Sequence, residues 1–232
     1  FCCLFAAALL GQNQNVTFKS KTTYTGQTLS NIWGYDDGGT EYALIGAKNG
    51  MIVTDVTNPA APVQIVQIAG PVSQWREIKT YQHYAYVATE GGGGLQIVDL
   101  SPLPSPSLPV VNYTGGGTTP GTLTTIHALQ VDEAKGFLYL YGTNLVGGRA
   151  CVFDLNQNPA APVYKGYYNP IGYAHDGYVN NDTMYAAHIN AGKVSIVDMT
   201  NKTDPNNQIG VAVALPITTP LVFSHNTWRY GN

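Results

Sequence analysis

The sequence is poor in charge. Only 11% of its 232 residues are Asp, Glu, Lys or Arg, less than half of the roughly 25% that is typical of globular proteins. The 11 basic residues are outnumbered by 14 acidic ones, and no basic cluster alternates with aromatic residues. A protein that neutralises a phosphate backbone needs such a cluster. We therefore expect no nucleic-acid partner.

The sequence also lacks a sustained apolar period of 3.6 residues, and it lacks an apolar run of the roughly 20 residues that span a bilayer. These absences argue against a helical fold and predict no transmembrane segment. Residues 1–10 are apolar and are followed by an abrupt polar switch, which is typical of a secretory signal. We expect residues 1–14 to be part of a signal peptide, residues 15–232 to form one domain, and the protein to be secreted or at the cell surface.

Cysteine is scarce. Two of the three cysteines, Cys2 and Cys3, lie in the apolar start, and the third is Cys151. Removal of a signal would leave Cys151 alone, so no internal disulfide is predicted. Cys151 lies in a strand-like run without an accompanying base, and we expect it to be a buried apolar residue rather than a nucleophile.

Turn residues and repetition are abundant, with 26 Gly and 14 Pro. A short β-branched run that closes on an aspartate recurs four times, and residues 58–63 return letter for letter as 158–163. The four aspartates, which stand 44, 55 and 44 residues apart, are Asp55, Asp99, Asp154 and Asp198. A repeat of roughly 40 to 50 residues with several short strands predicts the blade of a β-propeller.

Each repeat divides into four short strands joined by tight turns. The repeat aspartates end strands, so we expect them to accept hydrogen bonds from turn N–H groups. Val16 to Tyr24 alternates in polarity and predicts an extra outer strand. The predicted fold is all-β, a β-propeller fragment of about four four-stranded antiparallel blades plus the start of a fifth at His225. We expect an open arc of a larger ring rather than a closed four-bladed ring.

The first strands of the units supply a second register. They begin, 46, 51, 48 and 50 residues apart, at Ser30, Arg76, His127, His175 and His225, and the following positions are Asn31, Glu77, Ala128, Asp176 and Asn226. Innermost strands line the central channel of a propeller, so these positions should gather at one mouth. The candidate ligand site comprises Arg76, Glu77, His127, His175, Asp176, His225 and Asn226.

Three interpretations of this site remain open. The histidines could hydrogen-bond Asp or Asn side chains of the next blade and form a belt, or the site could be a solvent-lined ligand channel. It could also hold a divalent metal. His127, His175 and His225 would suit zinc, whereas Glu77, Asp176 and Asn226 would suit calcium. Adjacent strand residues point to opposite faces, so both sets cannot serve one ion.

The repeated core, Leu/Val-x-Ile-Val-Asp, resembles the LVIVD repeat, and it is clearest at 94–100 and 193–199. Further motifs at 31–35, 75–81, 175–179 and 224–228 resemble the choice-of-anchor B family of secreted bacterial proteins, most familiar from the Bacteroidetes. The resemblance covers Leu29 to Trp228 and implies a secreted or surface-exposed propeller. The family has no established reaction.

Two functions compete. The first is a non-catalytic propeller that binds a protein or glycan at the cell surface, because no nucleophile, base and orienting group appear in motif spacing. The alternative is a metal-dependent, lactonase-like hydrolase that uses the channel mouth. Propellers host both kinds of function, so the fold does not decide between them.

Overall fold

The computed structural model describes residues 16–202, 211–212, 217–218 and 223–228. The predicted signal segment lies outside these residues. The described part contains 17 strands and two single 3₁₀ turns, Val146–Gly148 and Ile189–Ala191. No helix in this part is long and apolar enough to cross a membrane.

The strands form four antiparallel sheets, each built from consecutive strands in chain order. The first blade contains β1 (Leu29–Asp37), β2 (Thr40–Ala47), β3 (Gly50–Asp55) and β4 (Val63–Ala69). The second contains β5 (Arg76–Tyr81), β6 (Tyr84–Thr89), β7 (Leu95–Asp99) and β8 (Val110–Tyr113). The third contains β9 (Ala128–Asp132), β10 (Phe137–Tyr141), β11 (Cys151–Asp154) and β12 (Val163–Tyr167).

The fourth blade contains β13 (Asp176–Asn180), β14 (Thr183–His188) and β15 (Lys193–Asp198). Its outer position is divided between β16 (Val211–Ala212) and β17 (Ile217–Thr218), which both pair with β15. The prediction of an all-β protein with four four-stranded antiparallel blades is confirmed.

Local sequence explains the tight hairpins. The turn between β13 and β14 consists of Asn181 and Asp182, with φ of 48° and 61°, between the paired residues Asn180 and Thr183. Two-residue turns with positive φ match the twist of the flanking strands, and Asn and Asp tolerate this backbone region.

The repeat aspartates occupy equivalent places at the ends of β3, β7, β11 and β15. In each case Oδ1 accepts a hydrogen bond of 2.8 to 2.9 Å from the backbone N–H two residues later. The four donors are Thr57, Ser101, Asn156 and Thr200. The predicted role of these aspartates in the turns is confirmed.

The blades pack face to face, and their inner strands contact one another in the order β1, β5, β9, β13. In strand β10, successive side chains point to opposite faces of the sheet and pack in two different apolar clusters. Leu138 and Leu140 pack in the apolar cluster shared with the second blade, whereas Tyr139 and Tyr141 pack in the cluster shared with the fourth. Cys151 is fully buried in the first of these clusters, and burial raises the pKa of its thiol to about 12. It is a core residue, as predicted.

The predicted strand from Val16 to Tyr24 is wrong, because these residues form no strand. The hydroxyl of Tyr24 hydrogen-bonds the side chain of Thr54 in β3 at 2.7 Å, and its ring packs on an apolar cluster of the first blade. Ser20 Oγ donates to the Pro59 carbonyl at 2.7 Å. Tyr24 therefore packs on a face of the first blade. Backbone hydrogen bonds between strands form at a sheet edge, so a segment on the face adds no strand.

Residues 223–228 lie beside β13, where a fifth inner strand was expected. Thr227 Oγ1 accepts from the Tyr178 N–H at 3.2 Å and donates to the Tyr185 carbonyl at 2.7 Å. The segment itself forms no strand.

Candidate functional site

The starts of the inner strands surround a cavity of about 220 Å³, which we call the histidine mouth. Six of the seven predicted site residues line it, and His175 lies directly against two of them. The lining residues are Ser30, Asn31, Trp75, Arg76, Glu77, His127, Ala128, Asp176, His225 and Asn226.

The three histidine rings contact one another in series, and neighbouring rings are tilted by 54° to 55°. The ring centroid of His175 lies 4.1 Å from that of His127 and 4.1 Å from that of His225. Burial, together with the neighbouring His127, lowers the pKa of His175, so this imidazole is neutral near pH 7. Its Nδ1 donates to the His225 carbonyl at 2.9 Å. The neutral ring therefore keeps Nε2 as a hydrogen-bond acceptor.

His127 is held from the second blade. Its Nδ1 lies 2.6 Å from Oε1 of Glu90, and its ring lies 6.3 Å from the half-exposed ring of Trp75. Neither Glu90 nor Trp75 was among the predicted site residues. Strand pairing could have indicated Glu90, because Thr89 pairs with Arg76 in the register of β5 and β6. Trp75 immediately precedes Arg76 in the sequence.

Glu77 and Asp176 bring two carboxyl groups into the mouth. Glu77 accepts from Lys79 Nζ at 2.7 Å through Oε1 and from the Leu129 N–H at 2.8 Å through Oε2. Asp176 is buried and accepts from the Gly177 N–H at 2.6 Å. Burial and the nearby Glu77 carboxylate raise the pKa of Asp176 to about 7, although Gly177, Lys79 and His127 act in the opposite direction. This carboxyl therefore titrates near neutral pH, far above the usual range of an aspartate.

The guanidinium of Arg76 is tied to the connection between the first two blades. Nε donates to the Ala47 carbonyl at 3.0 Å and Nη2 to the Pro71 carbonyl at 2.5 Å. Nη1 is buried and has no hydrogen-bond partner in the described part of the chain. Burial lowers the pKa of this side chain. Arg76 thus lines the mouth, and its two guanidinium hydrogen bonds both go to backbone carbonyls.

A hydrogen-bond belt links successive blades. Ser30 Oγ donates to the Arg76 carbonyl at 3.1 Å, just as His175 Nδ1 donates to the His225 carbonyl. Each side chain therefore binds the backbone of the equivalent residue on the next unit. At the following position, Asn31 accepts from the Ile78 N–H at 3.3 Å, as Glu77 accepts from Leu129. The partners are mostly backbone groups rather than the Asp and Asn side chains that were expected.

The predicted residues do not fit a metal site as they are placed. A zinc ligand set needs nitrogens that converge on one point, whereas these histidine rings follow one another in series, with neighbouring centroids 4.1 Å apart. Both carboxylate oxygens of Glu77 are also occupied. Among the residues that the structure describes, no group of three or more His, Cys, Asp or Glu side chains could hold a metal ion.

Sequence comparison identifies the repeat. The LVIVD repeat family matches residues 39–68 and 75–114, which lie in the first and second blades. This match supports the predicted repeat family. No curated protein shows significant sequence similarity to the chain.

Similar solved structures share the propeller architecture. The periplasmic gluconolactonase of Pseudomonas aeruginosa has a TM-score of 0.58 at 13% identity, over 81% of this chain and 53% of its own length. Two proteins provisionally named 6-phosphogluconolactonases have the same TM-score. The Bacteroides uniformis protein is 11% identical, over 83% of this chain and 55% of its own. The Bacteroides fragilis protein is 12% identical, over 88% of this chain and 59% of its own. At such identity the likeness shows the fold alone, and this chain spans little more than half of each neighbour.

Proposed function

We propose that this propeller is a binding module and that the histidine mouth is its ligand site. The observation that carries the proposal is the meeting of polar side chains from successive units around one cavity. At about 220 Å³, the cavity is smaller than the roughly 300 to 1,000 Å³ of pockets for drug-sized ligands. The ligand is then a small polar molecule, or the terminal group of a glycan or protein.

The chemistry of the mouth suits a ligand with hydroxyl or carboxyl groups. His175 offers a neutral acceptor nitrogen, and Asp176 can donate or accept a hydrogen bond because its pKa is raised to about 7. The Trp75 ring, 52% exposed, provides a flat apolar surface beside these polar groups. A small number of polar atoms that converge beside an aromatic surface is typical of specific ligand sites.

The proposal places the protein outside the cytoplasm, at the cell surface or in a secreted form. It rests on the signal-like segment at residues 1–10. Membership of the choice-of-anchor B family is part of the same proposal. It rests on the motifs beyond the LVIVD match, including residues 224–228.

Thermal unfolding with a panel of hydroxy acids, monosaccharides and amino acids tests the binding function. A ligand that binds only the native state raises the melting temperature. We expect at least one compound to raise it in the wild type and in His83→Ala, whose imidazole lies on an exposed turn away from the mouth. The same compound should have little effect on His225→Ala, because that variant removes an exposed side chain from the cavity wall. Equal shifts in all three proteins would contradict this site.

A second candidate is the hydrolysis of a lactone at the same mouth, and the carboxyl of Asp176 favours it. A group that titrates near neutral pH can act as a general base. Asp176 would take a proton from water as the water oxygen bonds to the lactone carbonyl carbon. The ring C–O bond would then break, and the proton would pass to the departing alkoxide. The names of the structural neighbours are consistent with this chemistry.

Acid release from D-glucono-1,5-lactone, measured at constant pH against the spontaneous reaction, tests the second candidate. We expect acceleration by the wild type and by His83→Ala, and a loss of at least tenfold in Asp176→Asn. A rate equal to the spontaneous one in the wild type, or full activity in Asp176→Asn, would reject hydrolysis by Asp176 and leave the binding function standing.

A further inference from the structure

A second cavity lies farther along the same inner strands, toward their C-terminal ends. Its volume is about 420 Å³, which falls within the usual range of ligand pockets. We call it the aromatic cavity. Its lining residues are Trp33, Gln130, Val131, Glu133, Ala134, Tyr178, Val179, Asn180 and Trp228.

The aromatic cavity has its own register in the sequence. Trp33, Gln130, Tyr178 and Trp228 each stand three residues after a member of the series that starts at Ser30. A shared register places side chains at the same height in successive blades. The cavity wall is therefore a repeated feature of the propeller.

Two of its aromatic rings are fixed and one is open to solvent. Trp33 Nε1 donates to Thr80 Oγ1 at 3.0 Å. Trp228 packs on Tyr178 with ring centroids 4.7 Å apart, yet the Trp228 side chain is 68% exposed. A large aromatic surface that is held in place but left open to solvent is typical of a binding surface.

Gln130 supplies an independent sign of a ligand. Its side chain is only 5% exposed, and its Oε1 is buried without a hydrogen-bond partner in the described part of the chain. Buried polar atoms are rarely left unpaired, because the loss of hydration costs about 1–3 kcal/mol. A donor group on a bound molecule would satisfy this oxygen.

The charges around the cavity favour a neutral ligand. An aromatic cavity can also bind a cation. However, Lys79 Nζ already lies 4.5 Å from the Trp33 ring centroid, so this ring face already has its cation. Glu133 and Asn180, both exposed, add hydrogen-bonding groups at the rim. A sugar ring carries hydroxyl donors, which suit the unpaired amide oxygen of Gln130. It also presents a face of C–H groups, which suits the aromatic rings.

We propose that the aromatic cavity is a saccharide-binding site in which a neutral sugar ring packs on Trp228 and donates a hydroxyl hydrogen bond to Oε1 of Gln130. The site is separate from the histidine mouth and does not depend on the function proposed there.

A printed array of neutral plant, bacterial and animal glycans, followed by titration calorimetry with the strongest binder, tests the proposal. We expect the wild type to bind at least one glycan. Loss of a stacking aromatic ring weakens binding, so Trp228→Ala should bind about three- to tenfold more weakly, and Trp228→Phe should restore part of the affinity. Trp228 is exposed, so these variants should keep the wild-type melting temperature.

Gln130→Leu keeps the volume of the side chain but removes its oxygen, and we expect it to weaken the same glycan several-fold. His225→Ala should leave glycan affinity unchanged, which separates this site from the histidine mouth. The proposal is overturned if no glycan binds, if Trp228→Ala binds as tightly as the wild type, or if tetramethylammonium competes for the cavity better than any glycan.

Discussion

The carboxyl of Asp176 shows how placement alone changes the chemistry of a common residue. It accepts from the adjacent Gly177 N–H, which is the counterpart of the Ile78 and Leu129 donors and finds no side-chain acceptor on the third blade, because Ala128 stands at that position. Burial and Glu77 then raise its pKa to about 7. The repeat aspartate Asp55 has a lowered pKa because Thr57 donates to it at an exposed turn. Two residues of one type therefore differ in pKa because their surroundings differ.

The raised pKa predicts how stability depends on pH. The unfolded chain loses the Asp176 proton near pH 3.8, whereas the native state loses it near pH 7. The free energy of unfolding therefore falls as pH rises between these two values, and the contribution of Asp176 stays constant above pH 7. Each pKa unit corresponds to about 1.4 kcal/mol, and the total effect is a few kcal/mol. Asp176→Asn keeps the acceptor for Gly177 and lacks the titration. We expect it to be more stable than the wild type at pH 8 and to lose this advantage toward pH 4. Urea unfolding across that range measures it, and a constant difference would contradict the prediction.

At the scale of strands and blades, single side chains join neighbouring sheets. Glu77 of β5 accepts from the N–H of Leu129 in β9 and from the buried Lys79 ammonium. Glu77→Ala would leave the Leu129 N–H unpaired and the Lys79 ammonium without its carboxylate, so we expect a loss of about 2–4 kcal/mol in the free energy of unfolding. Glu77→Gln keeps one acceptor and should lose less. Glu133→Ala, at an exposed hairpin, serves as the matched control and should change stability by less than about 0.5 kcal/mol. Equal stability of Glu77→Ala and the control would show that the bonds between blades contribute nothing.

Features that depend on neighbours in the sequence or on the repeat register could be predicted, and the hydrogen-bond partners that depend on the exact rotation between blades could not. The four aspartate turns are local, because donor and acceptor stand two residues apart. The strand predicted from Val16 to Tyr24 is wrong because pairing requires a free sheet edge, and alternation in polarity does not show whether one is near. The register that starts at Ser30 brought the predicted residues around one cavity. The partners of Glu77 and His127 depend on the rotation between blades, which no local pattern contains.

At the scale of the whole molecule, the described blades pack in chain order, each on its neighbours. The inner strands show the consequence. All five residues of β9, in the third blade, are buried. In β1 no residue is fully buried, and Ile32 is 65% exposed. The opposite side of the first blade presents a cavity with Leu29, Ile32 and Ile45 in its wall, which Tyr24 covers only in part.

This gradient predicts the order in which the inner strands open. In repeat architectures, stability is the sum of each unit and its contacts with its neighbours, and local opening is easiest where few apolar contacts are lost. We expect amide hydrogen exchange to be slowest in β9, intermediate in β5 and β13, and fastest in β1. Mass spectrometry of peptic peptides under native conditions measures this order.

Because β9 opens only when its contacts with both neighbouring blades break, Leu129→Ala should speed exchange in the second and fourth blades as well as in the third. The exposed substitution Ile32→Ala should speed exchange only in the first blade. Uniform exchange across all four inner strands would instead indicate that the blades unfold as one cooperative unit.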